Sequence, residues 1–398
     1  IMASTIKATN ISTPDGTGNI TVDRPLSGSG ASLTSLPAAN LTGTLPAIDG
    51  NALVGISPRN FIIDGDFTQW PEGTSITASN GSYGPALSYV NFSGAMAITL
   101  AKETTVIPTL AESGRDSAQS MKIDVTTADT SLSAGDFCFQ NWIITGTDYQ
   151  ALHQKEVTFN FWIRSGTTGT FCVSFQNNST NRVYVSEQTI NVADTWEEKT
   201  ITLTLDTSGT WLFTEADAGL KIRITLASGS NRQIAGSANT WLSETDKEST
   251  SNQTNMVGDA TKDVYISQVG LYLGASAPTF TSPPISTVKG QIEYYVEVRD
   301  HSGGEYMFPG QARSTGEARG RLKFNTRKRA VPTLTWTTGS PQALNAATTT
   351  QTGTGNSFSS NNEEGAFVYI TGASGLVAGN ASILAANGTS QLLIDSRH

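Results

Sequence analysis

Residues 33–56 hold the feature that most constrains this chain, because leucines and isoleucines alternate there with prolines and glycines. The spacing of these apolar residues fits neither a helix nor a strand for long, and proline and glycine interrupt both structures. The apolar positions are Leu33, Leu36, Leu41, Leu45, Ile48, Leu53 and Ile56. One copy of the segment has no second layer against which to bury them. We therefore predict an oligomerising stalk wound around identical copies, with a disordered linker as the alternative.

Composition favours a β-rich extracellular or virion protein. Only 15% of the 398 residues are charged, whereas the 7 Trp, 10 Tyr and 15 Phe can supply several cores. The net charge of −9 argues against a nucleic-acid partner, which would require a dominant basic surface. No apolar run approaches the length that would span a bilayer, so we predict no membrane insertion.

Cysteine and histidine are too rare to suggest a disulfide framework or a metal site. Cys138 and Cys172 are predicted to be reduced, buried and on the same outward strand face. The three histidines lie far apart in the sequence, without the spacing of zinc ligands. We predict no metal and no cofactor. The first residues, Ile1 and Met2, suggest a fragment, so we expect an attachment region before residue 1.

The order of strand and turn signals predicts an all-β chain in four parts. Residues 1–57 form N-terminal strands and the stalk, and residues 58–274 form a β-sandwich of jelly-roll type with strands every dozen residues or so. A proline-rich linker at 275–290 leads to a smaller β-sandwich tip at 291–398. Residues 229–259 are long, polar and poor in aliphatic side chains, so we predict an ordered loop there.

Several motifs, in order along the chain, resemble those of bacteriophage tail fibres. They are Asp-Gly-Thr-Gly-Asn-Ile at 15–20, the Leu-Pro-Ala segments of the stalk, and Arg-Asn-Phe-Ile-Ile-Asp-Gly-Asp-Phe at 59–67. Residues 131–137, 157–164 and 194–196 resemble the jelly roll of carbohydrate-binding modules found in such fibres.

The resemblance implies a homotrimeric receptor-binding protein at the outer end of a virion tail fibre, assembled in the host cytoplasm. Its implied partners are a bacterial surface polysaccharide or lipopolysaccharide, and other phage tail proteins upstream of residue 1. Related modules often hold a structural calcium. Here the acids usual after the first strand and in the last one are missing, and Asp64 and Asp66 are equally well explained as turn residues.

Alternation along three predicted strands separates an apolar face from a mixed polar and aromatic one. Along 137–144, 157–164 and 171–176 we predict Phe, Val and Ile inward and the opposite parity outward. Trp planes beside amides and arginine match the apolar faces and hydroxyl rims of sugars. The predicted carbohydrate-binding residues are Gln140, Trp142, Asn160, Trp162, Arg164 and Gln176. Cover by a loop or a neighbouring subunit is the alternative role of this face.

The tip carries a basic cluster within an acidic chain. Its members are Arg313, Arg319, Arg321, Lys323, Arg327, Lys328 and Arg329, against one acid, Glu317. Such a cluster suits a phosphate-bearing polysaccharide. A solvated strand face or ion pairs between subunits are the alternatives.

We expect no catalysis, because the sequence has no nucleophile elbow, metalloprotease motif or phosphate-binding loop. The leading hypothesis is therefore glycan binding without catalysis. A structural fibre spacer or adaptor, whose sheet faces serve trimer packing, and a glycan depolymerase are the alternatives.

Overall fold

A computed structural model describes residues 58–302, 305–345, 350–351 and 353–398. The predicted stalk positions Leu33, Leu36, Leu41, Leu45, Ile48, Leu53 and Ile56 lie outside these residues. The described part is all-β in class, as predicted, with its strands in several sheets and only short helices. Among its helices, none is long and apolar enough to cross a membrane.

Thirteen strands and two short helices come before the proline-rich segment. They are β1 (Ser75–Thr77), β2 (Ser82–Tyr83), β3 (Ser88–Ser93), β4 (Ala97–Glu103), α1 (Leu110–Ser113), β5 (Ser120–Thr127), β6 (Phe137–Thr145), α2 (Gly146–Tyr149), β7 (Glu156–Ser165), β8 (Gly169–Gln176), β9 (Val183–Ile190), β10 (Glu197–Thr204), β11 (Ala218–Ser228), β12 (Trp241–Leu242) and β13 (Val264–Leu273). Between β11 and β12 lies a single 3₁₀ turn, Ser230–Arg232.

These strands form two antiparallel sheets that pack face to face. The six-stranded sheet has the order β1-β4-β5-β13-β7-β10, and the seven-stranded sheet has the order β12-β9-β8-β11-β6-β3-β2. One continuous apolar core lies between them, with Phe159 and Phe161 from the first sheet and Phe175 and Ile224 from the second. This arrangement is the predicted β-sandwich.

The elements after the proline-rich segment build the tip. They are α3 (Ile285–Glu293), β14 (Val296–His301), β15 (Tyr306–Ala312), β16 (Glu317–Lys323), β17 (Thr333–Asn345), β18 (Thr350–Gln351), β19 (Gly355–Asn362), β20 (Gly365–Thr371) and β21 (Ala381–Asp395). Helix α3 begins inside the segment predicted as a linker, directly after Pro283 and Pro284. Its residues Val288 and Ile292, one turn apart, are the buried ones.

The tip differs from the predicted two-sheet sandwich, because its described strands belong to one eight-stranded sheet. The cause is the length of β21. One edge of β21 pairs with β17, while its other edge pairs with β15 in the first half and with β14 in the second. The sheet borders its own apolar core, which includes Phe308, Leu322, Val368 and Leu384.

Helix α3 and the C-terminal residues join the tip to the sandwich. Val288 and Ile292 pack with Ala86 and Leu87 of the sandwich. Arg397 donates to Glu72 at 2.6 Å, and its guanidinium lies 3.8 Å from the ring centroid of Tyr83.

Candidate functional site

Three of the predicted carbohydrate-binding residues lie together on the outer face of the six-stranded sheet, on β7. Asn160 Nδ2 donates to Glu198 Oε1 at 2.9 Å and to Thr200 Oγ1 at 2.8 Å. Arg164 donates to the carbonyl of Asp194 at 2.9 Å. Trp162 lies between them and is half-buried. The side chains of Asn160 and Arg164 are thus engaged within the protein, and Trp162 and Arg164 are the half-buried members of the trio.

Gln140 and Trp142 face the interior, so the predicted orientation of β6 is wrong. Trp142 belongs to the core, with its ring centroid 6.4 Å from that of Phe159. Gln140 is fully buried and pairs in register with Val90 and Ile224, both core residues. β6 is rich in apolar residues at both parities, so its alternation does not decide which side is buried.

Outward-facing phenylalanines on β6 are covered by arginines instead of by the opposite sheet. The guanidinium of Arg232 lies 4.2 Å from the ring centroid of Phe137, and that of Arg223 lies 4.2 Å from the centroid of Phe139. Such stacking buries an aromatic ring on an outer face at little electrostatic cost.

Gln176 lies on the outer face of the seven-stranded sheet but is fully buried beneath the long loop at 229–259. Its Nε2 donates to the carbonyl of Lys247 at 2.5 Å. The six predicted residues are therefore divided among an outer face, the core and a loop-covered position. They do not form one platform.

The two cysteines are free and buried, as predicted, but lie on opposite faces of the seven-stranded sheet. Cys138 belongs to the main core, whereas Cys172 packs with Val183 and Val185 under the long loop. Burial raises the pKa of Cys138 to about 12 and that of Cys172 to about 11. Both thiols are thus protonated at neutral pH.

A row of polar side chains that the sequence analysis missed crosses the outer face of the seven-stranded sheet. Strand register places Tyr89 of β3 beside Asn141 of β6, and Asn141 beside Arg223 of β11. We call these three residues the sheet row. The alternation Ile222-Arg223-Ile224 was the available signal, since a lone arginine between core isoleucines must face outward.

The long loop flanks the sheet row on one side. Thr225 Oγ1 of β11 donates to the carbonyl of Glu248 at 3.1 Å. The carboxylate of Glu248, fully buried, lies 3.7 Å from Arg223 Nη1 and 2.8 Å from Arg232 Nε. Burial raises the pKa of Glu248 to about 7, although both arginines oppose this shift. The loop therefore places a buried, titratable carboxyl group against the sheet row.

The C-terminal residues flank the other side. A cavity there is lined in part by Tyr83, Tyr89, Ile143 and His398. Burial lowers the pKa of His398 to about 4, and the nearby positive charges of Arg329 and Lys221 lower it further. Burial likewise lowers the pKa of Lys221 to about 8. This side presents aromatic rings and a histidine that is neutral at pH 7.

The sheet row contains buried polar atoms without partners. Both side-chain amide atoms of Asn141, and Nε and Nη1 of Arg223, have no hydrogen-bond partner among the described residues. Asn141 is fully buried and Arg223 is 8% exposed. A buried polar group left unpaired costs roughly 1–3 kcal/mol. These atoms are almost inaccessible, so a ligand with hydroxyl donors and acceptors would pair with them only by displacing the side chains that cover them.

Asp64 and Asp66, considered as oxygen ligands for calcium, are occupied by protein donors. Asp64 accepts from the backbone N–H groups of Thr68 and Gln69 at 2.8 and 2.9 Å, and Asp66 pairs with Arg115 at 3.0 Å. Burial raises the pKa of Asp64 to about 6. Among residues 58–398 as described, no group of three or more potential metal ligands occurs.

The predicted basic cluster of the tip is dispersed. Lys328 and Arg329 are buried, and Arg313 and Arg327 form ion pairs with Glu317 and Glu363. The remaining members, Arg319, Arg321 and Lys323, lie on the outer face of β16. The cluster in sequence is therefore not one surface, because its last residues follow the end of β16 and turn inward.

No protein family matches the sequence, and no curated protein matches it. The solved structures similar to it include an enzymatically active domain of bacteriophage CBA120 tailspike protein 4 (14% identity, 50% of this chain, 21% of that chain, TM-score 0.29). Another is the family 11 carbohydrate-binding module of Clostridium thermocellum with a mixed-linked tetrasaccharide (11%, 52% of this chain, 99% of that chain, 0.28). A third is the Stig cyclase Fisc of Fischerella (10%, 56%, 100%, 0.33). Likenesses at these TM-scores do not establish a shared fold or function.

Proposed function

We propose that this chain is a glycan-binding, receptor-binding part of a phage tail fibre that attaches the virion to a bacterial surface polysaccharide without catalysis. The observation that carries glycan binding is the sheet row, where the Asn141 amide has no hydrogen-bond partner in the described part of the chain and lies between Tyr89 and the Arg223 guanidinium, which pairs with Glu248 at 3.7 Å. The fibre assignment rests on the order of the sequence motifs. The opposite face, at Trp162, remains a second position for the same function.

The chemistry of the sheet row suits a neutral sugar. The side-chain amide of Asn141 has one acceptor oxygen and two N–H donors, and Arg223 has further N–H donors. Tyr89 supplies a half-buried ring and a hydroxyl. A sugar ring combines an apolar CH face with a rim of hydroxyls, so it would satisfy both kinds of group at once.

Asn141→Leu is the sharpest test, because it removes a buried amide that has no protein partner. We expect the thermal melting temperature to stay level or rise, since the substitution is close in volume and leaves nothing unpaired. Binding to an array of bacterial polysaccharides and lipopolysaccharides should fall about tenfold, since a lost hydrogen-bonding group costs roughly 1–3 kcal/mol.

Gln140→Met is the matched control. Gln140 is the adjacent buried amide without partners, but it faces the core between the sheets. Its replacement should leave glycan binding unchanged. If Asn141→Leu binds like the unmodified chain and Trp162→Ala does not, the site belongs to the six-stranded sheet. Absence of glycan binding by the unmodified chain would favour a structural spacer, and release of reducing sugars would favour a depolymerase.

We also propose that the chain is a homotrimer held by its N-terminal segment, which would repeat a weak site around one axis. Light scattering at micromolar concentration should give three times the chain mass of 42.0 kDa. A monodisperse monomer would contradict the stalk hypothesis. Replacement of Leu36 and Leu45 by aspartate should shift the mass to that of one chain.

A further inference from the structure

The outer face of β16 presents a row of cations. Ala318 and Leu322 are fully buried in the tip core, and the alternate residues Arg319, Arg321 and Lys323 therefore point away from it. Arg321 and Lys323 are exposed, and Arg319 is half-buried. Three cations at alternate positions of one strand are spaced along the strand at roughly 6–7 Å.

Aromatic side chains lie beside these cations on the neighbouring strand. Register pairs Arg319 with Tyr369 and Arg321 with Phe367 of β20. The guanidinium groups of Arg319 and Arg321 lie 5.6 and 5.4 Å from the ring centroid of Phe367. Both rings are half-buried. We call Arg319, Arg321, Lys323, Phe367 and Tyr369 the arginine face.

The charges of this face are not neutralised from within the described part of the chain. Arg319 and Arg321 have no ion pair there, whereas nearby Arg313 is paired with Glu317 at 2.7 Å. The flanking positions in register are neutral: Gln311 of β15 lies beside Arg319, and Ser359 of β19 lies beside Phe367. A hydrogen bond from Ser359 lowers the pKa of Tyr369, and the positive charge of Arg319 acts in the same direction.

We propose that the arginine face binds a phosphate-bearing polysaccharide. Guanidinium groups bind phosphate through two parallel N–H donations, and the flanking rings match the apolar faces of the sugars between phosphates. The site is separate from the sheet row and does not depend on the function proposed for it. Nucleic acid is the less suitable polyanion, because the three cations of this small face would neutralise few of its closely spaced phosphates.

The test uses the full chain and surface plasmon resonance on immobilised yeast phosphomannan, with the same polymer dephosphorylated by aqueous hydrofluoric acid as a reference. We expect tighter binding to the phosphorylated polymer than to the dephosphorylated one. Arg319→Gln combined with Arg321→Gln should weaken it about tenfold or more, since both charge-assisted contacts are lost. Replacing both arginines by lysine should give an intermediate loss of affinity. Lysine keeps the positive charge but lacks the parallel N–H donors of the guanidinium group.

Arg327→Gln combined with Lys289→Gln is the matched control, because it removes two exposed positive charges elsewhere. It should bind like the unmodified chain. Four outcomes would each overturn the proposal. They are equal binding to the dephosphorylated polymer, unchanged binding by the Arg319/Arg321 glutamine variant, no binding by the unmodified chain, and tighter binding to single-stranded DNA. Far-ultraviolet circular dichroism checks that the variants remain folded.

Discussion

Lys328→Met is expected to lower the free energy of unfolding by about 3 kcal/mol, since it removes one partner of a buried ion pair. The Lys328 side chain is 0% exposed, and its Nζ donates to Glu297 Oε2 at 2.7 Å. Glu297, itself buried, keeps only Arg299 as a cationic partner in the variant, at 2.6 Å. Urea unfolding at pH 7 measures the change.

Two companion variants make this expectation specific. Arg327→Met removes the preceding cation, whose ion pair with Glu363 lies at the surface, so the urea midpoint should hardly move. Combining Lys328→Met with Glu297→Leu should recover most of the lost stability, because no uncompensated charge then stays buried. A Lys328→Met variant as stable as the unmodified chain would show that this lysine is not buried with Glu297.

Gly65→Ala is expected to destabilise the sandwich by about 3 kcal/mol, at the upper end of the usual cost of overpacking. A Cβ on Gly65 would lie 1.9 Å from the carbonyl oxygen of Val269 and 2.9 Å from its carbonyl carbon. Backbone has to move to admit it, and the hydrogen bond from Val269 N to Gly65 O, at 2.8 Å, would be lost or lengthened.

The close approach occurs where β13 is irregular. Its register with β7 shifts between Ser267 and Gly270, and Gln268 has a φ of 51°. Gly135→Ala is the control, because a Cβ there meets nothing within 4 Å. Differential scanning calorimetry should show a lower melting temperature for Gly65→Ala and little change for Gly135→Ala. Equal melting temperatures would mean that the segment before β1 does not lie against β13.

The sequence predicted strand faces well where one parity was clearly polar. On β7, Val157, Phe159 and Phe161 are buried in the core, as predicted, opposite Asn160 and Trp162. On β6 both parities carry large apolar residues, and the choice between them depends on Arg223 and Arg232, which are distant in sequence. The alternation within β6 cannot show that arginines distant in sequence cover one of its faces.

Candidate sites depended even more on distant parts of the chain. The burial of Gln176 requires the loop around Lys247, and that of Lys328 requires Glu297 on β14. The sheet row joins β3, β6 and β11, whose pairing no short window reveals. Its one local signal, Arg223 between two isoleucines, marks an outward residue without showing what lies beside it.

The hydrogen bonds of Arg329 affect how a polymer would bind to both proposed surfaces, the sheet row and the arginine face. It donates to the carbonyl of Ala216 in the sandwich at 2.7 Å and to that of Ser396 in the tip at 2.8 Å. Together with the packing of helix α3, these hydrogen bonds hold the sheet row and the arginine face at a constant separation. A saccharide long enough to span that interval would engage its second surface at high effective concentration, and a shorter one would not. Affinity should then rise in a step with oligosaccharide length.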